Sequence, residues 1–214
     1  DINRVVKSEG MAGNTFRNLQ RLTEECELIT NANTDEITKS RYVDEKTNHM
    51  FIRIDKTEKT ERINLLTYAD KIRAADCVIV SDYDKGFLLE DDIAAIANMN
   101  PNVFLDTKKL LGAWAANVKI IKINSLEYLR SMAFVSIHDL DNKIIVTQGA
   151  TGATWRGKTY PVQAVDIKDQ SGAGDTFHAA LAWKFTMSHN MEWAIKFAND
   201  CATAVVQKKG TAVF

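Results

Sequence analysis

A doubly wound, mainly parallel α/β sheet with a small β lid is the fold this sequence predicts, on three observations. Short apolar runs, Cys77-Val78-Ile79-Val80, Val103-Phe104-Leu105 and Lys143–Thr147, lack the alternation of a half-wet strand, as strands covered on both faces do. Helical segments alternate with them: Leu65–Ala75, Asp91–Asn98, Ser125–Met132, Asp175–Met187 and Glu192–Gln207. That order builds a parallel sheet with helices on both sides. Ahead of these lie two β-like stretches, Thr38–Val43 and His49–Asp55, around the polar turn Asp44-Glu45-Lys46-Thr47-Asn48. Met50, Ile52 and Ile54 alternate there with Phe51, Arg53 and Asp55, which predicts a half-buried hairpin with one wet face, a lid at about residues 38–55.

The remaining elements follow in order. Thr15–Glu24 reads as a helix and Val118–Ile123 as a strand. Gly149-Ala150-Thr151-Gly152 is a turn, and Thr154–Trp155 with Thr159–Val165 a second hairpin. Both prolines, Pro101 and Pro161, are expected at strand starts. In the last helix Ala194, Phe197, Ala198, Cys201 and Val205 share one face.

The chain of 214 residues suffices for one domain, 1–214, with its own core. A formal net charge of -1 offers no basic field for nucleic acid or an anionic membrane. No apolar run reaches the length of a membrane span, and no signal-like segment opens the chain. Cys26, Cys77 and Cys201 have no metal-ligand spacing and read as reduced thiols, so a cytoplasmic location is expected. His49, His138, His178 and His189 show no zinc spacing, and His178 reads as packed or surface. Neither a G-x-S-x-G elbow nor a Walker-type P-loop is present. Trp114, Trp155, Trp183 and Trp193 are scattered as packing residues.

The segment with most chemistry is Asp169-Gln170-Ser171-Gly172-Ala173-Gly174-Asp175. Its glycines let successive N–H groups converge, and the helix that follows adds a positive N-terminal end, together a seat for a phosphoryl group. Asp175 in the first turn is placed to accept the proton of an attacking hydroxyl. A tight strand-to-helix turn with Asp175 as a capping residue fits the same letters.

This segment resembles the D-T-G-A-G-D signature of the ribokinase-like (PfkB) carbohydrate kinases. The resemblance implies that Asp175 is the catalytic base and that the amides of Gly172, Ala173 and Gly174 form an anion hole. Gly10-Met11-Ala12-Gly13-Asn14 is similar to the family's first signature, G-G-x-x-N, which implies sugar contacts at Gly10 and Asn14; Met11 replaces the second glycine. Thr38-Lys39-Ser40-Arg41, Arg53-Ile54-Asp55 and Ser81-Asp82-Tyr83-Asp84-Lys85-Gly86 resemble segments of the heptose 7-phosphate kinase branch. They imply that Lys39, Arg41, Arg53 and Lys85 meet a phosphate already on the sugar, although exposed strand charges fit those positions too. Asn124-Ser125-Leu126-Glu127 resembles N-x-x-E, implying Mg²⁺ positioning by Asn124 and Glu127, while the same spacing is that of a helix capping box. Asp106-Thr107-Lys108 resembles D-P-K, and Thr147–Gly152 resembles T-R-G-x-x-G with Gln148 for the basic residue. With Ala198-Asn199 and Lys209–Ala212 these imply a nucleotide side at Thr147, Gly149, Gly152 and Asn199.

The resemblance implies ATP and Mg²⁺ as cofactors, a sugar or sugar phosphate as substrate, and a homodimer paired through the lid. Relative to the family the N-terminal part is expected to be short or missing, without the first strand and much of the segment between Thr30 and Thr38. Three functions stay open on sequence: a sugar-phosphate kinase, a kinase for another sugar or nucleoside, and a weak or inactive relative that only binds such ligands.

Overall fold

The computed structural model describes residues 5, 10–32, 37–44, 46–47, 49–57, 60–134, 138–208, 210 and 212–214. Helix α1 spans Met11–Leu19, starting and ending before the expected Thr15–Glu24 helix. Its buried face is Met11, Asn14, Thr15 and Asn18, an i, i+3, i+4, i+7 stripe that is mostly polar. An apolar search for the helix therefore lands too late. Gly10 is the N-cap residue, and Asn14 N donates to its carbonyl at 2.8 Å.

Strands β1 (Ile37–Val43) and β2 (Met50–Thr57) pair antiparallel as a separate two-stranded ribbon. The expected half-buried pattern is not found. Phe51 is 69% exposed on one face, and Ile52 and Ile54 are 52% and 51% exposed on the other. A two-stranded ribbon has no second layer of its own to cover it. The register sets Arg41 opposite Arg53 and Lys39 opposite Asp55, so one face is charged; Tyr42, Ile52 and Ile54 stand on the other. Glu45 and Asn48 of the expected turn lie outside the described residues. Past the ribbon, Thr60 N donates to Lys85 O and Ile63 N to Phe87 O, tying the chain to the loop after the next strand.

The body follows in alternating order: α2 (Leu65–Ala74), β3 (Val78–Asp82), α3 (Glu90–Met99), β4 (Val103–Thr107), β5 (Ile120–Asn124), α4 (Ser125–Phe134), β6 (Ile144–Thr147), β7 (Ala153–Trp155), β8 (Lys158–Tyr160), α5 (Ala173–Ser188) and α6 (Met191–Val206). The sheet runs β3-β4-β5-β6-β7-β8, parallel through β6 and antiparallel from there. Two cores cover it. Ile72 of α2 with Ile93 and Ile96 of α3 packs on Val103, Leu105, Ile121 and Ile123. Phe177 and Leu181 of α5 with Ala194 and Ile195 of α6 pack on the opposite side, against Phe104, Ile120 and Ile145. Successive strand residues thus alternate between two apolar layers, which is why the body of each strand is largely apolar and most of its polar residues gather at the carboxyl end.

Neither proline begins a strand. Pro101 sits in a bend before β4, and Pro161 directly follows β8. The expected strand over Thr159–Val165 is only Lys158–Tyr160, turned from β7 through Arg156 and Gly157, both at positive φ. It stops where Pro161 has no N–H to give the ladder. The Tyr160 carbonyl is instead taken by Asn199 Nδ2 at 2.8 Å. Burial pushes the thiols of Cys77 and Cys201 up to about 12 and about 11, as befits inert packed cysteines. Cys26, only partly buried, follows α1.

Candidate active site

Asp82, Thr107, Asn124 and Thr147 end the four parallel strands and line one sheet edge. Open α/β sheets bind ligands at such carboxyl ends. The N-terminus of α5 stands over it. Gly172 turns the chain at φ 83°, a left-handed conformation that glycine adopts freely. Ser171 N donates to Asp169 Oδ1 at 2.8 Å and Gly210 N to Oδ2 at 3.1 Å, so Asp169 shapes the turn. Ala173 N donates back to Gln170 O at 3.3 Å, whereas the amides of Gly172 and Gly174 have no partner among the described residues. These are the orphan donors expected of a helix start, and such donors suit an anion.

Asp175, in the first turn of α5, accepts a hydrogen bond from Asn14 Nδ2 at 2.8 Å. That bond joins two residues 161 positions apart, and α1 makes it on a rail of polar contacts. Asn18 Nδ2 donates to Asn14 O at 2.8 Å, Thr176 Oγ1 donates to Asn18 Oδ1 at 3.0 Å, and Thr15 Oγ1 lies 3.1 Å from Ser81 Oγ. Burial raises the Asp175 carboxyl to about 6, against the Asn14 hydrogen bond and the Lys122 charge that favour ionisation. A carboxyl so poised is suited to general-base work near neutral pH.

Around it stand groups from separate elements. Lys39 Nζ lies 4.5 Å from the centre of the Tyr83 ring, and Lys108 Nζ lies 5.8 Å from it. Burial, then the charges of Asp175 and Asp106, push the Tyr83 hydroxyl above its usual range. Partial burial and the Arg53 guanidinium hold the Lys39 ammonium below its usual range; Asp55 opposes, and Lys85 and Arg41 add to the lowering. Lys39 thus stands in a group of charges, within electrostatic reach of Arg53, Lys85 and Arg41. Within it Arg53 is paired with Asp55, at 2.7 Å from Nε and 2.5 Å from Nη2.

Other predicted residues have structural partners. Asn124 Oδ1 accepts from Glu127 N at 2.9 Å, and Glu127 Oε2 accepts from Asn124 N at 2.9 Å, which is the capping box. Glu127 Oε1 pairs with Lys108. One carboxylate and one carbonyl oxygen are hard donors that fit Mg²⁺ held largely through water, with Lys108 as a competitor for Glu127. Thr147 Oγ1 donates to Ile123 O at 3.3 Å. Gly149 is open to solvent at φ 57°. Gly152, at φ 96°, would place a Cβ 2.1 Å from Tyr160 O, the carbonyl that Asn199 holds. Gly152 and Asn199 thus fix the β8 end, and of the four nucleotide-side residues only Thr147 ends a parallel strand. Lys209 and Thr211 of the closing loop lie outside the described residues.

Sequence reading missed Tyr83 as a platform, Lys108 as the partner of Glu127, and the buried pair Lys122–Asp106 at 2.5 Å. For Lys122 a signal existed: Ile120-Ile121-Lys122-Ile123 sets a lysine inside an apolar run, and a strand covered on both faces has no solvent to give it.

An α/β sandwich with a charged ribbon over the carboxyl ends of its strands is the architecture of ribokinase-like proteins. A ribokinase from Thermotoga maritima superposes with a TM-score of 0.63 at 18% identity, covering 81% of this chain and 64% of that one. Phosphofructokinase-2 from Escherichia coli gives 0.61 at 13% identity, over 82% and 66%. The profile of pfkB family carbohydrate kinases matches residues 5–214, and the chain belongs to that family. Curated relatives named bifunctional protein HldE agree: the one from Bradyrhizobium diazoefficiens is 30% identical over 88% of this chain and 44% of its own length. That from Nitratiruptor sp. is 30% identical over 81% and 42%. The chain spans less than half the length of these two relatives.

Proposed function

We propose that this chain transfers the γ-phosphoryl group of ATP to a hydroxyl of a phosphorylated sugar, with heptose 7-phosphate the best candidate. The observation that carries the reading is the Asn14–Asp175 hydrogen bond beside the orphan amides of α5, facing a cationic ribbon. Asp175 takes the proton of the sugar hydroxyl, and Asn14 orients the carboxylate and a neighbouring hydroxyl. The Gly172 and Gly174 amides receive the charge of the group in flight. Lys39, Arg41 and Lys85 hold the phosphate already on the sugar, which favours a sugar phosphate over a free sugar or nucleoside. Asn124 and Glu127 would hold Mg²⁺, which would supply charge neutralisation for the phosphates. Closure of the ribbon excludes water as a rival acceptor. The HldE name of the relatives supports the heptose assignment.

The apolar face of the ribbon, Tyr42, Ile52 and Ile54, supports pairing with a second copy. Sedimentation of wild type against Ile52→Asp, which converts dimer to monomer if the face pairs, tests it. One observation favours a binding-only relative: both Glu127 oxygens are engaged, one by Lys108.

The deciding experiment measures ADP release from ATP and Mg²⁺ over a sugar-phosphate panel, for wild type and Asp175→Asn. Sugar-dependent turnover that falls by about 10²-fold or more in the variant is expected. Ligand binding without turnover overturns the kinase reading in favour of the binding-only one.

A further inference from the structure

Lys122 is 5% exposed in the middle of the central sheet, and its partner Asp106 is 1% exposed. Ile121 and Ile123 point into one core; Lys122 shares the opposite face with Ile120, towards α5. Its ammonium lies directly beneath the first turn of that helix, where a Cβ on Gly174 would stand 2.9 Å from Nζ. This is an unfavourable place for a cation. The N-terminus of a helix carries positive partial charge and stabilises anions. Burial adds a desolvation cost that a single partner does not cancel. Asp106 is itself left short of partners, since its second oxygen, Oδ1, is buried with no hydrogen-bond donor among the described residues. An apolar pair of like volume would serve packing better.

We infer that Lys122 is a positioning residue for phosphoryl transfer: a fixed buried charge that acts through the Gly172–Gly174 turn, favouring an anion at the α5 N-terminus in balance with Asp106. The inference rests on the phosphoryl-transfer reading of that turn. With an anion seated, the helix end, the orphan amides and the ammonium below them face a common negative charge, and the repulsion of the empty state becomes attraction. Gly174 is then required for a second reason besides its amide, since any side chain there displaces Nζ.

The test uses Lys122→Met with Asp106→Asn, which removes both charges together and leaves no buried ion unpaired. In a structural role the double variant melts and turns over like wild type. The inference expects wild-type-like melting, kcat lower by roughly 10- to 100-fold, and KM values little changed, because the charge acts on the group in flight. Unchanged kcat overturns it.

A second readout needs no turnover. In a Lys39→Ala/Arg41→Ala background, which removes the ribbon's cations, inorganic sulfate is titrated while melting is followed. Sulfate stabilises the parent and not the protein carrying the Lys122 and Asp106 substitutions. Equal stabilisation of both, or of neither, overturns the inference. If sulfate stabilisation depends on Lys122 while wild type phosphorylates no sugar, the kinase reading fails and the anion seat stands.

Discussion

The ribbon β1–β2 and the ground beneath α5 both handle charge, in opposite ways. On the ribbon, Lys39, Arg41 and Arg53 are exposed and meet their partners at the surface. Beneath α5, Asp106 and Lys122 are sealed among apolar side chains, and His178, on the buried face of α5 itself and lowered by burial to about 4, is a neutral ring there. Exposed charge is cheap, adjustable and screened by salt; buried charge is costly, fixed and strong at short range. A site joining the two can select its substrate with the first and act on it with the second.

Three changes sharpen or break that contrast. The largest effect is expected far from either charge set, at Gly152→Ala. A positive φ and a Cβ at 2.1 Å from Tyr160 O leave no room without moving β8, and a loss of about 3 kcal/mol in urea unfolding is expected. A loss below about 1 kcal/mol would show that the β8 end yields as readily as the ribbon.

Next is Asp175→Asn, read as stability. The wild-type carboxyl is raised to about 6 in the folded state, against about 3.9 unfolded. Between those values the folded state holds a proton that the unfolded state has lost, so wild-type stability declines as pH rises through about 6. The variant lacks that decline. It should match wild type near pH 4 and exceed it by about 1–2 kcal/mol at pH 7, the full shift being discounted for partial exposure. Equal stability at both pH values would place Asp175 with the ribbon's exposed charges. The same group predicts a fall of kcat/KM below about pH 6.

The smallest effect on the fold is expected from Lys39→Ala with Arg41→Ala. Surface substitutions of this kind change stability by about 0.5 kcal/mol or less. The KM for a sugar phosphate should rise roughly tenfold or more, as charge-assisted contacts are lost, with kcat retained. A matching rise for the unphosphorylated sugar would remove the substrate phosphate from the ribbon.

What the sequence disclosed follows from how local each cause is. The Gly172–Asp175 turn is legible because one short stretch holds the glycine, the amides and the carboxylate. The parallel strands are legible because burial on two faces leaves few polar letters, and the ribbon because its strands alternate. Contacts across the chain left weaker traces. Asn14 meets Asp175 through a helix whose inner face is polar, which gives apolar spacing little hold on its boundaries, and it runs Met11–Leu19 in place of the expected Thr15–Glu24. Asn124 and Glu127 show the reverse: a spacing shared by two causes, of which the capping box is present. The nucleotide-side letters Gly152 and Asn199 are explained by one carbonyl, Tyr160 O.

The thiols give the molecule a use in the laboratory. Cys77 and Cys201 are held protonated by burial at any ordinary pH, while the Cys26 thiol, partly open as Cys77 also is, is raised by a lighter burial. A maleimide dye or nitroxide offered at mildly alkaline pH should therefore enter at Cys26 without cysteine removal. The label would ride just past α1, the helix that carries Asn14, and turn ligand arrival into a spectroscopic signal.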